Sequence, residues 1–211
     1  FDEKFNGIDH ETYFPAKFEY VPVPENRNQI LFGFFQSQKY FNNELIKFHF
    51  KPKNEFLQVV RKAGSEFLHL QNLVSIHVRR GDYLTKPQFH PALSVQYYYD
   101  ATTKLYYEYG PNLNFVVFSD DIAWCKTIFK GENFYFADSN SNIVDLYLMA
   151  HCKHSIIANS SFSWWGSWLK QLFVSEPGIT IAPETWFGPS CDYETKDLYS
   201  DGWIKMGNGE G

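Results

Sequence analysis

Ile76-His77-Val78-Arg79-Arg80-Gly81-Asp82-Tyr83 is an apolar run that ends in two adjacent arginines, a glycine and an acid. The run reads as a buried β-strand, and what lies at its carboxyl end reads as a site. Side chains alternate along a strand, so His77 and Arg79 share one face while Val78 and Arg80 share the other. Two neighbouring guanidiniums are expensive to hold at a strand end unless an anion is expected there. A guanidinium is a planar fork of donors that matches phosphate oxygens and stays charged at every working pH, which makes Arg79 the first choice for a phosphate. The competing reading is an internal ion pair, Arg80 with Asp82 or another carboxylate, and both readings can hold together.

Outward from this stretch the text alternates. Apolar runs at Leu73 to Arg79, Phe115 to Ser119, Phe134 to Ala137, Ser155 to Ala158 and Ile179 to Ala182 each suit a buried strand. Helix-length segments separate them: Val95 to Tyr109, Asp121 to Phe129, Ile143 to Cys152 with Asp145 near its start, and Ser163 to Phe173. This β-α alternation predicts an α/β fold with a parallel, doubly wound, Rossmann-like sheet. Before residue 71 the pattern is irregular, broken by Pro15, Pro22 and Pro24, with one amphipathic helix expected over Asn54 to Leu70. The expected organisation is a partial N-terminal unit over 1–70, the sheet domain over 71–205 and a flexible tail over 206–211. Ligands of such sheets sit outside the carboxyl ends of the strands, so the residues just after each strand are the ones to inspect.

Two further strand ends are chemically loaded. Phe118-Ser119 leads into Asp120-Asp121; one of these acids is placed to cap the next helix, and the other is then free for a ligand such as the N–H edge of guanine. Metal binding is the competing idea, but adjacent carboxylates on opposite sides of an extended chain chelate poorly. Ala158-Asn159-Ser160-Ser161-Phe162-Ser163-Trp164-Trp165-Gly166 delivers small hydroxyl residues to the start of an apolar helix. The open N–H groups there suit a diphosphate, against the plainer reading of a serine cap with tryptophans in the core. Arginines, carboxylates and a helix N-terminus together describe a site for a nucleoside diphosphate, and the chain has neither a P-loop nor a Gly-x-Gly-x-x-Gly fingerprint.

Composition removes other classes. With 211 residues the chain can bury a real core, and a net charge of -5 argues against a nucleic-acid backbone as partner. The apolar runs are strand-sized, too short to cross a membrane, and no signal-peptide pattern opens the sequence. Three scattered cysteines, Cys125, Cys152 and Cys191, favour a reducing compartment, so the expected location is cytoplasmic. Membrane association or a Golgi lumenal origin are the alternatives if a segment precedes Phe1. His151, Cys152 and His154 look superficially like zinc ligands but lack a second pair. Asn159-Ser160-Ser161 is formally a glycosylation sequon at an inaccessible junction, and Arg80-Gly81-Asp82 closes a buried strand rather than tipping an adhesion loop.

The arginine motif His77 to Tyr83, the Phe118 to Asp121 strand end and the Ala158 to Trp165 segment resemble the α-1,2-fucosyltransferase family, as do Gly33 to Phe41, Tyr97-Tyr98-Tyr99, Cys152-Lys153-His154 and Ala182 to Phe187. The resemblance runs over roughly residues 31 to 204. It implies a two-domain GT-B-type fold, a GDP-β-L-fucose donor, an oligosaccharide acceptor (galactose O-2 first), inversion, and no metal or other cofactor. It assigns the β-phosphate to Arg79, the guanine to His77 with Asp120 or Asp121, and the diphosphate to Ser160, Ser161 and Phe162 beside Asn159. Arg79, Arg80 and Asp82 are the expected catalytic set, with Asp82 more an orienting group than a base; no general base is identified. The family's glycine-rich N-terminal loop has no counterpart here, so the chain is expected to be a fragment or naturally short. The alternatives are a non-catalytic nucleotide- or carbohydrate-binding module and a fucosyltransferase of different linkage.

Overall fold

The computed structural model describes residues 11–15, 18–25 and 28–209. A parallel pair, β1 (Glu11–Tyr13) and β2 (Gln29–Leu31), comes first, followed by a 3-10 turn at Gln38–Tyr40. Helix α1 (Asn43–Phe50) starts where the Asn42 side chain accepts from the amides of Glu44 and Leu45, and α2 (Asn54–Ala63) stops at Gly64. The remaining strands and α-helices are β3 (Leu73–Val78), α3 (Val95–Tyr109), β4 (Asn114–Ser119), α4 (Ile122–Ile128), β5 (Phe134–Phe136), α5 (Asn142–Ala150), β6 (His154–Ile156), α6 (Ser161–Trp168), β7 (Thr180–Pro183) and β8 (Ile204–Met206), with further 3-10 turns at Asp82–Thr85 and Leu169–Leu172.

Six of these strands form one parallel sheet in the order β5-β4-β3-β6-β7-β8. The chain winds outward one way from β3 and then restarts at β6, beside β3, and winds the other way. This is the α/β, Rossmann-like parallel architecture expected of a GT-B-type nucleotide-sugar domain, with its switch point between the carboxyl ends of β3 and β6.

Every residue of β3 is buried, and its alternation sorts the layers. Val74, Ile76 and Val78 pack with Tyr97, Tyr98, Ala101 and Leu105 of α3, while Leu73 on the other face joins Val116 and Phe118 of β4 and Leu148 of α5. Adjacent tyrosines of α3 brace the switch point from below. The Tyr98 hydroxyl donates to the His77 carbonyl at 3.2 Å, and the Tyr97 hydroxyl donates to the Ile157 carbonyl at 2.8 Å. Each such bond contributes on the order of 1 kcal/mol, but together they hold both strand ends to one helix.

The expected boundary near residue 71 has no counterpart in the packing. Val60 and Phe67 belong to the same core cluster as Val116 and Phe118, and Phe50 of α1 stacks on Trp165 of α6 at 5.4 Å. The helix expected over Asn54 to Leu70 ends at Ala63, and α6 starts at Ser161 rather than Ser163. Hydrogen-bonded structure also runs past 205: Met206 closes β8, and the Asn208 side chain binds both the amide and the carbonyl of Thr185. Residues 1–10 and 210–211, parts of the expected N-terminal unit and tail, lie outside the described residues. Among the described residues no helix is long and apolar enough to cross a membrane.

At the amino ends of β6 and β7 sits a buried lysine with no carboxylate partner among the described residues. Lys170 is 5 % exposed, and its Nζ donates to Thr180 Oγ1 at 2.7 Å and approaches the Ile179 carbonyl at 3.3 Å. Burial draws its pKa down from 10.5 to about 7. Between those values the unfolded chain holds a proton that the fold does not, so this residue makes stability rise with pH from about 7 towards 10.5. Replacing it by the similar-sized, uncharged Lys170→Met should remove that slope. Thermal unfolding at about pH 7 and pH 9 is expected to show the wild type gaining Tm relative to the variant; parallel shifts in both proteins would contradict the assignment.

Candidate functional site

Beyond the switch point the strand ends line two cavities with wall residues in common. The larger, about 740 Å³, is lined by Arg79, Asp82, Tyr83, His90, Asn159, Ser160, Ser161 and Phe162 together with aromatic residues of the flanking loops. The smaller, about 190 Å³, is lined by His77, Arg79, Phe118, Ser119, Asp120, Asn142, Asp145, Ser160 and Phe162. Arg79, Ser160 and Phe162 line both. His77 and Arg79 thus share a face, as strand alternation requires.

The Arg79 guanidinium is held rather than loose. Its Nη2 donates to Asp82 Oδ1 at 2.7 Å, and its Nη1 lies 3.1 Å from Asp120 Oδ2. A guanidinium has five N–H donors, so these two contacts aim the group and leave donors on Nε and on each terminal nitrogen. Asp120 also accepts from the Arg80 amide at 2.9 Å, which clamps the end of β3 to the end of β4. A Cβ at position 81 would stand 2.5 Å from Asp120 Oδ2, so only glycine lets the chain pass this engaged carboxylate.

Arg80 turns away from both cavities. Its guanidinium lies 3.8 Å over the Trp124 ring, and its Nε donates to Asp121 Oδ2 at 3.1 Å. The ion-pair reading therefore holds for Arg80, with Asp121 rather than Asp82 as partner. Asp121 is also the helix cap, accepting from the Trp124 amide at 3.1 Å. The expectation that one acid of the pair stays free is not met, because Asp120 and Asp121 each have both oxygens engaged.

A second carboxylate of the smaller cavity, with no ion-pair partner among the described residues, is Asp145, in the first turn of α5. Burial pushes its pKa up, offset in part by the Ser139 hydroxyl, which donates at 2.6 Å. The sequence shows Asp145 as an ordinary acid at a helix start; its placement beside His77 depends on how α5 packs, which no local pattern carries. His77 is 5 % exposed and packs 5.4 Å from the Phe162 ring. Burial, then the nearby Arg79 charge, lowers its pKa to about 3, so the imidazole is neutral, and its Nδ1 is buried without a partner among the described residues.

The start of α6 is open. The Ser160 side chain makes no capping bond, Ser161 is exposed, and the first intrahelical bond runs from the Trp164 amide to the Ser160 carbonyl at 3.0 Å. The amides of Ser161 and Phe162 are left without an intrahelical partner, as the first turn of a helix requires, whereas Ser163 is fully buried. Asn159 is buried, and its Nδ2 donates at 3.0 Å to the carbonyls of both Pro91 and Trp186, which ties two loops to the strand end. That bonding also removes the sequon from reach. His151, Cys152 and His154 do not converge. His151 bonds the Tyr147 carbonyl, Cys152 Sγ contacts the Leu148 carbonyl, and His154 accepts from the Ile179 amide.

The model of Glycosyl transferase family 11 matches residues 3–207. An alpha-1,2-colitosyltransferase of Escherichia coli is 42% identical over 185 residues, covering 82% of this chain and 61% of that protein. The O-antigen biosynthesis glycosyltransferase WbnK of Escherichia coli is 37% identical over 64% of this chain and 45% of its own length. Galactoside 2-alpha-L-fucosyltransferase Sec1 of Mus musculus is 30% identical over 54% of this chain and 32% of its own. The chain thus spans less than two thirds of these relatives. Among solved structures, fucosyltransferase NodZ from Bradyrhizobium superposes with a TM-score of 0.48 at 16% identity, over 74% of this chain and 55% of that one. On the family match, which runs over nearly its whole length, the chain belongs to glycosyl transferase family 11.

Proposed function

We propose that this chain is the nucleotide-sugar-binding part of a glycosyltransferase that moves L-fucose from GDP-β-L-fucose to a glycan hydroxyl, galactose O-2 in first place, with inversion and without a metal ion. One observation carries the reading: two cavities share Arg79, Ser160 and Phe162 as their common wall. A nucleotide sugar laid across that wall puts its base in the smaller cavity, its phosphates against the guanidinium and the open amides of α6, and its sugar in the larger cavity, where an acceptor can meet it.

Each part has a physical partner. The Asp145 carboxylate can accept from the ring N–H and the exocyclic amine of guanine, an edge that adenine does not offer. It takes the role that the sequence suggested for Asp120 or Asp121. Neutral His77 lines the same cavity. As the acceptor hydroxyl attacks the anomeric carbon, charge builds on the leaving phosphate. Arg79, held in aim by Asp82 and Asp120, stabilises that charge, as do the amides near Ser161. Arg80 acts one step back, by anchoring the turn that presents Arg79.

A second reading, with colitose as the sugar transferred, is favoured by the 42% identity to the alpha-1,2-colitosyltransferase. Parallel turnover of GDP-fucose and GDP-colitose separates the two, the better donor being the one with the higher kcat/KM.

Arg79→Ala is expected to lower kcat roughly 100- to 1000-fold, the usual loss of ~2.7–4 kcal/mol for one such donor. Steady-state transfer assays check this, and a change under about tenfold would exclude Arg79 from the leaving-group site. Asp145→Asn should weaken GDP about 10- to 100-fold while leaving the weak binding of UDP unchanged, a hydrogen bond to a charged group being worth ~1.5–3 kcal/mol. Competition binding of the two nucleotides measures it, and an equal loss for both would remove Asp145 from base recognition.

A further inference from the structure

Four buried side-chain atoms lack a hydrogen-bond partner among the described residues, and three of them, Gln36 Oε1, His90 Nδ1 and Asn159 Oδ1, belong to residues that line the larger cavity. A buried polar atom left unpaired costs ~1–3 kcal/mol, so three on residues that border one space point to a polar guest there. Asn159 is 1 % exposed, and its amide cannot be flipped without losing two bonds, since Nδ2 donates to two carbonyls. Its Oδ1 is therefore an acceptor that awaits a donor. Hydroxyl groups, which a sugar carries in number, supply such donors.

His90 stands apart from the other two because it can take a proton as well as a hydrogen bond. Its ring stacks on Tyr83 with centroids 5.1 Å apart and planes at 19°, and it contacts Phe187 at 5.9 Å. These aromatic contacts fix the ring while leaving Nδ1 without a hydrogen-bond partner among the described residues. Arg79 reaches the same Tyr83, its guanidinium carbon 5.5 Å from the ring centroid. The phosphate-facing cation and the free imidazole thus flank one side chain in one cavity. Asp82, the carboxylate nearest in sequence, is unsuited to be the base because Arg79 holds it at 2.7 Å.

We propose that His90 is the general base of the transfer, with Asn159 Oδ1 and Gln36 Oε1 accepting from neighbouring hydroxyls of the acceptor sugar. The inference rests on the glycosyl-transfer reading above. In the step, the acceptor oxygen forms a bond to the anomeric carbon and gives up its proton to His90. The bond from that carbon to the β-phosphate oxygen breaks, and its electron pair leaves with GDP. His90 then passes the proton to solvent.

The test uses the full chain with GDP-fucose as donor, lactose or water as acceptor, and GDP release as the readout. His90→Phe keeps the ring stack and removes the proton acceptor; His90→Ala opens a space for a soluble base. Both are expected to lower kcat about 100- to 10,000-fold, the span of general-base contributions, with GDP affinity within about twofold of wild type. Added imidazole should restore part of the activity of His90→Ala, which a purely structural role would not allow. The inference is overturned by a His90→Phe enzyme within about threefold of wild-type kcat, by loss that imidazole does not relieve, or by a wild type that binds GDP yet releases none with either acceptor. Failure of the transfer reading looks different, since the wild type would then not bind GDP at all.

Discussion

The Asp120 carboxylate joins the last residues of two neighbouring strands, accepting from the Arg80 amide at 2.9 Å and standing 3.1 Å from the Arg79 guanidinium. Both ion-pair partners are partly exposed, so the pair adds little to stability. Its importance is geometric. With Asp120 engaged on both oxygens, the chain can turn only through Gly81, Arg79 can point only into the cavities, and Arg80 is left to pair with Asp121 over Trp124. The direction of every cationic group at the switch point follows from that one acid.

The site then divides by electrostatics. On one side burial keeps His77 neutral and raises the pKa of Asp145, in a small pocket that the Arg79–Asp120 ion pair also lines. On the other side the larger cavity is lined by Gln36, His90 and Asn159, each with a buried polar atom that has no partner among the described residues. Arg79 and the open start of α6 lie between them. The same topology that brings the carboxyl ends of β3 and β6 together makes this division possible, because the two strands belong to separate halves of the winding.

Much of this was legible in the amino-acid order. The strand β3, its alternating faces and the pairing of His77 with Arg79 follow from a period of two, and α3 occupies the expected Val95 to Tyr109. What local patterns could not carry is which partner each polar group finds. Asp120 and Asp121 look equivalent in sequence, yet one locks two arginines and the other caps α4. Asp145, Gln36 and His90 reach the site through tertiary packing from a helix start and two loops. Strand β8 went unseen because Ile204-Lys205-Met206 is too short to show a period, and the break at 71 was inferred from irregular text although Val60 and Phe67 pack into the sheet core.

The central claim is that the crevice between β3 and β6 binds a guanine nucleoside diphosphate through residues of this chain alone. Calorimetric titration with GDP, against ADP and UDP, in the presence of EDTA measures it directly. Saturable binding of GDP, tenfold or more tighter than that of ADP or UDP and unaffected by the chelator, is the expected result, about 1.4 kcal/mol being the smallest difference that base recognition should make. Equal affinity for the three nucleotides, or none for GDP, would contradict the account.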